Sequence, residues 1–309
     1  MEGEYVLVVG SSALEMSGRA IEAPQLGARQ QGHIHVSAGG VARNIAENLA
    51  RLDIDTVLLS AVADDELSDY LVSHSQLAGV DCSHVLRVTG ERVATSLLLY
   101  HAAESVTHLD DLAIMAALDS DYLLEHDWLF KDASLVVIDA TLSEDALDTL
   151  FELAQRYKTP VCADPTAPRL ARRLRKYIAN LFLIVPNASE TAALCSLDEP
   201  ATERESAIGT AQMLVSMGSN IAVVTLGAQG LAYADSNGGG YIRAIKTEIV
   251  DTSGAGDAFS GAVIFGILNG VPTDEAMRLG AAAASLTLQS EYAVLQSLTP
   301  DRLYDELGI

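Results

Sequence analysis

The sequence predicts an α/β fold: a mostly parallel sheet covered by helices on both faces, with a small β-rich flap attached. Three observations carry this. Short runs continuous in Val, Ile and Leu recur along the chain, and stretches of helical period separate them. Two segments, residues 13–37 and 92–109, interrupt that alternation. The length of 309 residues suits one large domain with such an appendage.

Tyr5–Val9 is the first buried strand, unbroken in apolar residues. Residues 13–37 follow as short extended pieces with polar interruptions such as Ile34-His35-Val36. Val41–Leu52 is an amphipathic helix with Val41, Ile45, Leu49 and Leu52 on one face; Asn48 and Arg51 read as its solvated face. Thr56–Ala61 is the next strand. Residues 92–109, centred on Thr95–Tyr100, again lack the helices a parallel sheet needs, so they pair with 13–37 in the flap. Asp110 and Asp111 beyond them read as a helix cap. Leu135–Asp139, Pro160–Asp164, Leu181–Val185 and Ile221–Leu226 are the remaining buried strands. Helices Ser143–Arg156, begun by a Ser cap, and Ala201–Met217 lie between them. Arg169, Arg172, Arg173, Arg175 and Lys176 read as a solvated helix face. Gly238–Gly240 marks a turn before an extended run, Tyr241–Val250. Helices Asp257–Asn269, Thr273–Leu288 and Thr299–Leu307 complete the order, the last with Thr at its cap and Pro at its first position.

The chain carries 19 Lys plus Arg against 42 Asp plus Glu, a net charge of −23, and is 49% hydrophobic. The apolar content excludes intrinsic disorder. The acidic balance repels phosphate backbones and anionic lipids, which argues for a small ligand and against nucleic acid or a membrane as partner. Tyr5–Val9 is too short for a signal peptide or a span and has no basic residues before it. Cys82, Cys162 and Cys195 are an odd number without metal or redox spacing, and read as buried thiols. The expected setting is the reducing cytoplasm, so Asn187-Ala188-Ser189 is not read as a glycosylation acceptor.

Chemistry concentrates in Asp251-Thr252-Ser253-Gly254-Ala255-Gly256-Asp257. The helix that follows is apolar nearly all round, hence buried, and its N-terminus presents free amides and a positive dipole end. Gly254 and Gly256 let the backbone turn several N–H groups toward one anion, which suits the charge of a transferring phosphoryl group. Asp257 either caps the helix or takes a proton from an alcohol. Asp139, at the end of a buried strand, stands where open α/β sheets place ligand groups and reads as a substrate contact, a loop-capping Asp being the alternative. No P-loop, dinucleotide fingerprint, zinc-protease or nucleophile-elbow motif occurs, and His33 and His35 have no carboxylate partners in sequence and read as surface residues.

Four ordered motifs give the chain its resemblance. DTSGAGDAF (251–259), Gly39-Gly40-Val41-Ala42-Arg43-Asn44, Pro186-Asn187-Ala188-Ser189-Glu190, and Thr225-Leu226-Gly227 with Gly230 resemble the ribokinase-type (PfkB) carbohydrate and nucleoside kinases over essentially the whole chain. The resemblance implies a three-layer α/β/α ribokinase-like domain spanning 1–309, with a discontinuous β lid from about 13–37 and 92–109. It implies Asp257 as catalytic base, with Ser253, Gly254, Ala255 and Gly256 as the anion hole. Asn187 and Glu190 would organise Mg²⁺ and the ATP phosphates, largely through water, and Thr225, Gly227 and Gly230 would line the nucleotide. Gly39, Gly40 and Asn44 would hold sugar hydroxyls, with Glu15 matching the acidic residue after the first strand. Asp251 and Ser253 would bind a monovalent cation, K⁺. Residues 39–52, Val137–Ala140 and Ser290-Glu291-Tyr292 are similar to the branch acting on pseudouridine, which implies its 5′-OH as acceptor. A ribokinase-like sugar kinase or another nucleoside kinase is the alternative within the family, and a silent sugar- or nucleoside-binding sensor the alternative outside it. An exposed lid edge would invite pairing into a homodimer.

Overall fold

The computed structural model describes residues 3–21, 27, 29, 31–100 and 106–308; the parts of the expected flap at 22–26, 28, 30 and 101–105 lie outside them. In chain order the elements begin with β1 (Tyr5–Val9), β2 (Ala13–Ala20), β3 (Gly32–Gly39), α1 (Val41–Arg51), β4 (Thr56–Leu59), β5 (Ala61–Ala63), α2 (Glu66–Leu77) and β6 (Leu86–Val88). Then come β7 (Thr95–Tyr100), β8 (Val106–Asp111), α3 (Ser120–Glu125), α4 (Asp127–Asp132), β9 (Ala133–Asp139), α5 (Glu144–Tyr157), β10 (Val161–Asp164) and α6 (Pro168–Ala171). The remainder is β11 (Leu183–Ile184), α7 (Ala188–Cys195), α8 (Arg204–Ser216), β12 (Ile221–Thr225), β13 (Leu231–Asp235), β14 (Gly238–Ile242), α9 (Ala255–Leu268), α10 (Thr273–Leu288) and α11 (Pro300–Leu307).

Eight strands form the main sheet in the order β14-β13-β12-β11-β10-β9-β1-β4. From β12 to β4 all neighbours run parallel, while β12, β13 and β14 pair antiparallel at one edge. The unbroken apolar runs follow from burial on both faces. Leu7 and Val9 of β1 pack with Val136, Ile138 and the α5 residues Leu147 and Leu150 on one face. Val6 and Val8 pack with Val137 and with Ile45 and Leu49 of α1 and Val263 of α9 on the other. The all-round apolar α9 is accordingly sandwiched between the sheet, α1 and α10.

The second sheet has four strands in the order β3-β2-β7-β8, drawn from both flap segments. Its two faces differ. Glu15, Ser17, Leu98 and Tyr100 share one face, and Tyr100 Oη lies 3.5 Å from both Asp251 carboxylate oxygens ahead of α9. Ile34, Val36, Leu99 and Leu109, on the opposite face, are 78%, 45%, 41% and 65% exposed.

Several elements depart from the sequence reading. The Thr56–Ala61 strand divides at Ser60, so that β5 leaves the main sheet to pair with β6. Gly238–Gly240 is not the turn: these residues are paired with Asp235, Ala234 and Tyr233 in β14. A side chain at Gly240 would meet the Tyr233 ring at 2.5 Å, so the glycine serves strand packing. Asp110 and Asp111 belong to β8, where Asp110 accepts a 2.6 Å hydrogen bond from Ser96 Oγ, and cap no helix. Arg173 turns inward to donate to the Leu142 carbonyl at 2.8 Å, whereas Arg172, Arg175 and Lys176 are exposed as expected.

The largest departure concerns α1. Asn48 is fully buried and Arg51 only partly exposed, because α9 and the segment at Ala293–Gln296 cover the face that was read as solvated. Gly261 of α9 permits this approach; a Cβ there would stand 2.9 Å from Asn48 Cβ. Glu47, at 0% exposure, is paired with Arg43 at 2.5 Å and Arg51 at 2.6 Å, with His74 Nδ1 of α2 at 3.4 Å. Burial alone would raise the Glu47 pKa, but His74, Arg43 and Arg51 more than offset it and hold it at about 2. A carboxylate with a lowered pKa stabilises the fold above its unfolded pKa and loses that contribution as pH falls toward the folded one. Glu47→Gln is therefore expected to lower unfolding free energy at pH 7 by about 3 kcal/mol in urea titrations. The gap to wild type should close as pH falls from 4.5 to about 2.

Candidate active site

The parallel strands deliver their carboxyl ends to one edge of the sheet, where open α/β folds bind ligands. Ser11 follows β1, Asp139 closes β9, Asp164 closes β10, Asn187 follows β11 and Thr225 closes β12. The N-termini of α1 and α9 open onto the same edge.

Asp257 stands in the first turn of α9, which begins at Ala255, two residues earlier than the sequence indicated. It caps nothing. The N-cap position is Gly254, in the left-handed region at φ +72°, where any Cβ would strike the Ala293 carbonyl. Ser253 N donates to Asp251 Oδ1 at 2.7 Å, so Ser253 does not offer its amide to an anion. The amides of Ala255, Gly256 and Asp257 remain at the open helix end. Asp257 is 8% exposed and accepts a 2.6 Å hydrogen bond from Asn44 Nδ2. Burial first, and then the Asp164 carboxylate, push its pKa well above the ordinary range; Glu15 adds to this, while Asn44 and the Arg43 charge act against it.

Asn44 reaches Asp257 because the Gly39–Gly40 turn aims α1 at α9. Gly40 has φ +95°, and a Cβ there would lie 2.6 Å from the Ser11 carbonyl. Gly39 gives its carbonyl to Arg43 Nε at 2.9 Å. Asp139, expected to grip substrate, is 0% exposed and spends both oxygens internally. It accepts from Ser11 N at 2.7 Å, Ser11 Oγ at 2.6 Å, Ala42 N at 3.3 Å and Thr141 N at 3.0 Å, and from Thr141 Oγ1. Its task is to fasten the start of α1 to β1. Glu15, on β2, is half-buried; burial raises its pKa and Asp251 adds to this, while Ser253, Arg43 and His108 oppose it. The Ser253 hydroxyl is buried close to Glu15 and Tyr100 without completing a hydrogen bond of full geometry to either.

Asn187 and Glu190 form a reciprocal capping box on α7: Glu190 N donates to Asn187 Oδ1 at 2.9 Å and Asn187 N to Glu190 Oε2 at 2.8 Å. An isolated bridge joins Asn187 to Thr225, and Thr225 N donates to the Pro186 carbonyl at 2.9 Å. Gly227 is exposed beyond it, and Gly230, at φ +112°, reverses the chain where a Cβ would strike the Ile242 carbonyl. Desolvation raises the Glu190 pKa to about 8, with Asp164 contributing. Asp164 is itself raised to about 6, by burial and then by Asp139. Asp164 had no role in the sequence reading of the site, although the Ala163-Asp164-Pro165 stretch is part of the family resemblance; its position at the end of a buried strand, level with Asp139, was the available signal. No Lys or Arg pairs with Asp164 or Glu190 among the described residues.

Buried carboxylates without counter-ions, facing a helix end with free amides, form a site for an anionic ligand that brings its own cation. The model of the pfkB family of carbohydrate kinases matches residues 4–300. The chain belongs to that family. Pseudouridine kinase from Escherichia coli (strain K12) is 30% identical over 293 residues, covering 94% of this chain and 92% of the relative. Arabidopsis thaliana ribokinase, solved with ribose and ATP, superposes with a TM-score of 0.85 at 20% identity over 100% of both chains. An E. coli protein described as a ribokinase II, in complex with ATP and Mg²⁺, gives 0.83 at 18% identity over 99% of each chain. These structures share the α/β architecture with its large mixed sheet and smaller sheet.

In this pfkB kinase for a sugar or nucleoside, the expected residues Asp257, Asn44, Glu15, Asn187, Glu190, Thr225 and the 251–256 loop do gather at one edge, and Asp139 lies behind them. A cavity of about 340 Å³ adjoins, lined by Ser17, Arg19, His35, Tyr100 and Asp251 among others. Among the described residues no cluster of three or more His, Cys, Asp or Glu is arranged to hold a metal. The Asn44 hydrogen bond favours the ionised form of Asp257, so its loss raises the pKa further. Asn44→Ala is expected to move the acidic limb of the kcat/KM–pH profile to higher pH, by about one unit, in steady-state assays from pH 5 to 9.

Proposed function

We propose that the protein transfers the γ-phosphoryl group of ATP to a primary hydroxyl of a ribosyl compound, the 5′-OH of pseudouridine being the best-supported acceptor. The observation that carries this reading is Asp257: a buried carboxylate at the open N-terminus of a buried helix, held by Asn44. As the acceptor oxygen forms its bond to the γ-phosphorus, its proton passes to Asp257 and the bond to the β-phosphate oxygen breaks, releasing ADP. The raised pKa makes Asp257 a stronger base than an exposed carboxylate. The amides of Ala255 to Asp257 face the charge that develops on the transferring group.

Asn187, Thr225, Gly227 and Gly230 form the nucleotide side of the site, and Gly39, Gly40, Asn44 and Glu15 the sugar side. The carboxylates of Glu190, buried, and Asp164, partly buried, have no cationic partner and fit Mg²⁺ held largely through water and phosphate oxygens, and no direct cage of three such ligands occurs among the described residues. When bound, Mg²⁺ would neutralise phosphate charge. The buried hydroxyl of Ser253, which completes no hydrogen bond of full geometry, fits a monovalent cation such as K⁺ together with Asp251 beside it. The smaller sheet acts as a lid: its polar face meets Asp251 through Tyr100, so that closure over the acceptor would exclude water. The outward apolar face, rather than the edge strands, supports pairing with a second copy. Three free cysteines fit the cytoplasm, although Cys195 is only half-buried. No helix among the described residues is long and apolar enough to cross a membrane.

Pseudouridine is favoured by the E. coli relative and the segments at 39–52 and 290–292; ribose and other nucleosides are the competing acceptors. Coupled ADP-release assays with ATP and Mg²⁺ should compare pseudouridine, uridine, adenosine, ribose and fructose 6-phosphate, in K⁺ and in Na⁺ buffers. The expected result is the highest kcat/KM with pseudouridine and a faster rate in K⁺. A higher value for another acceptor would reassign the substrate, equal rates would remove the cation site, and no ADP release with any acceptor would favour the binding sensor.

A further inference from the structure

Arg43 makes more buried hydrogen bonds than the site as described has required of it. It is 1% exposed. Its guanidinium donates to the Gly39 carbonyl at 2.9 Å, the Ala38 carbonyl at 3.0 Å, Glu47 Oε2 at 2.5 Å, and Asn44 Oδ1. Burying an ion pair of this kind costs more desolvation than an apolar pair of the same volume, so stability alone gives little reason to keep it. Its geometry gives a better one.

A side-chain amide has two ends of similar shape, an acceptor oxygen and a donor NH₂. Asn44 lies between two groups that discriminate between them. Arg43 has only donors, so it requires the amide oxygen on its side. Asp257, when ionised, has only acceptors and requires the nitrogen. With the amide reversed, oxygen would face carboxylate and NH₂ would face guanidinium, and both contacts would repel. Asn44 Oδ1 is in fact on Arg43 and Nδ2 is 2.6 Å from Asp257 Oδ2. Arg43 cannot drift, because Glu47 holds it through one carboxylate oxygen while Arg51 holds the other at 2.6 Å and 2.9 Å. The same fork fixes the two carbonyls ahead of the Gly40 turn, which sets where Asn44 leaves α1.

We propose that Arg43 is a positioning residue for phosphoryl transfer, fixing the Asn44 amide so that its nitrogen and not its oxygen meets Asp257. The proposal rests on the kinase reading of Asp257. It separates from a purely structural clamp through coupling. A residue that acts through Asn44 has little left to lose once Asn44 is gone, whereas a structural clamp weakens the enzyme by the same factor in either background.

The experiment measures acceptor kcat/KM and thermal melting for Arg43→Lys, Arg43→Gln, Asn44→Ala and both double variants. Lysine keeps the charge opposite Glu47 but lacks the planar fork. Arg43→Lys is expected to lose about tenfold in the wild-type background and less than about threefold beside Asn44→Ala, while melting stays within about 5 °C. Arg43→Gln should lose more activity with the same lack of additivity. Equal losses in the two backgrounds would overturn the positioning role and leave the kinase reading intact. Failure of both Arg43 variants to fold would assign the residue to structure alone. A wild-type protein that releases no ADP with any acceptor would defeat the kinase reading, and the inference with it.

Discussion

The hydrogen bond from Asn44 to Asp257 joins side chains 213 residues apart, and at 2.6 Å it is the point at which the two halves of the site meet. A carboxylate buried among others tends to take a proton and lose its use as a base. What opposes this is a donor held in one orientation, and the surrounding structure provides it. Asp139 and Ser11 fasten the start of α1 to β1, and the Gly39–Gly40 turn aims it. Gly254 starts α9 with its amides open and Asp257 in the first turn. The eight-stranded sheet brings both helix ends to one edge.

The fold was legible because its strands are buried on both faces. A run such as Val6–Val9 serves two cores at once and so cannot alternate. The motif-bearing site residues were legible for a related reason. Glycines at Gly254 and Gly40 are required by backbone geometry that no side chain accommodates, whereas Asn187 and Glu190 were reached through the family resemblance and the structure adds that they form a capping box. What escaped was whatever depends on a distant partner. Asn48 and Arg51 have the polarity of a solvated face, and only the packing of α9 over α1 buries them. Asp139 has the strand-end position of a ligand contact, yet Ser11 and Thr141 take up its oxygens. Asp164 occupies the equivalent position one strand away, has no cationic partner among the described residues, and acts on both Asp257 and Glu190.

Charge is the second constraint. An acidic chain, net −23, proposed to bind a polyanionic nucleotide must offset repulsion locally. The open amides of α9 and the two uncompensated carboxylates, Asp164 and Glu190, do this in complementary ways: the first favour phosphate oxygens, the second favour the cation that accompanies them. The Arg43–Glu47–Arg51 array keeps positive charge beside Asn44, near enough to favour the ionised form of Asp257. The smaller sheet is tied to this frame through the Ala38 and Gly39 carbonyls of β3, which Arg43 holds; its polar face meets the loop before α9 through Tyr100, and its apolar face is exposed.

In the proposed reaction Asp257 takes the acceptor's proton and leaves nucleotide binding to other residues. The most direct measurement is calorimetric titration of Asp257→Asn with MgATP alongside its turnover with the best acceptor. The account predicts an ATP affinity close to wild type and a kcat lower by about 10³-fold. Turnover near the wild-type value would contradict it.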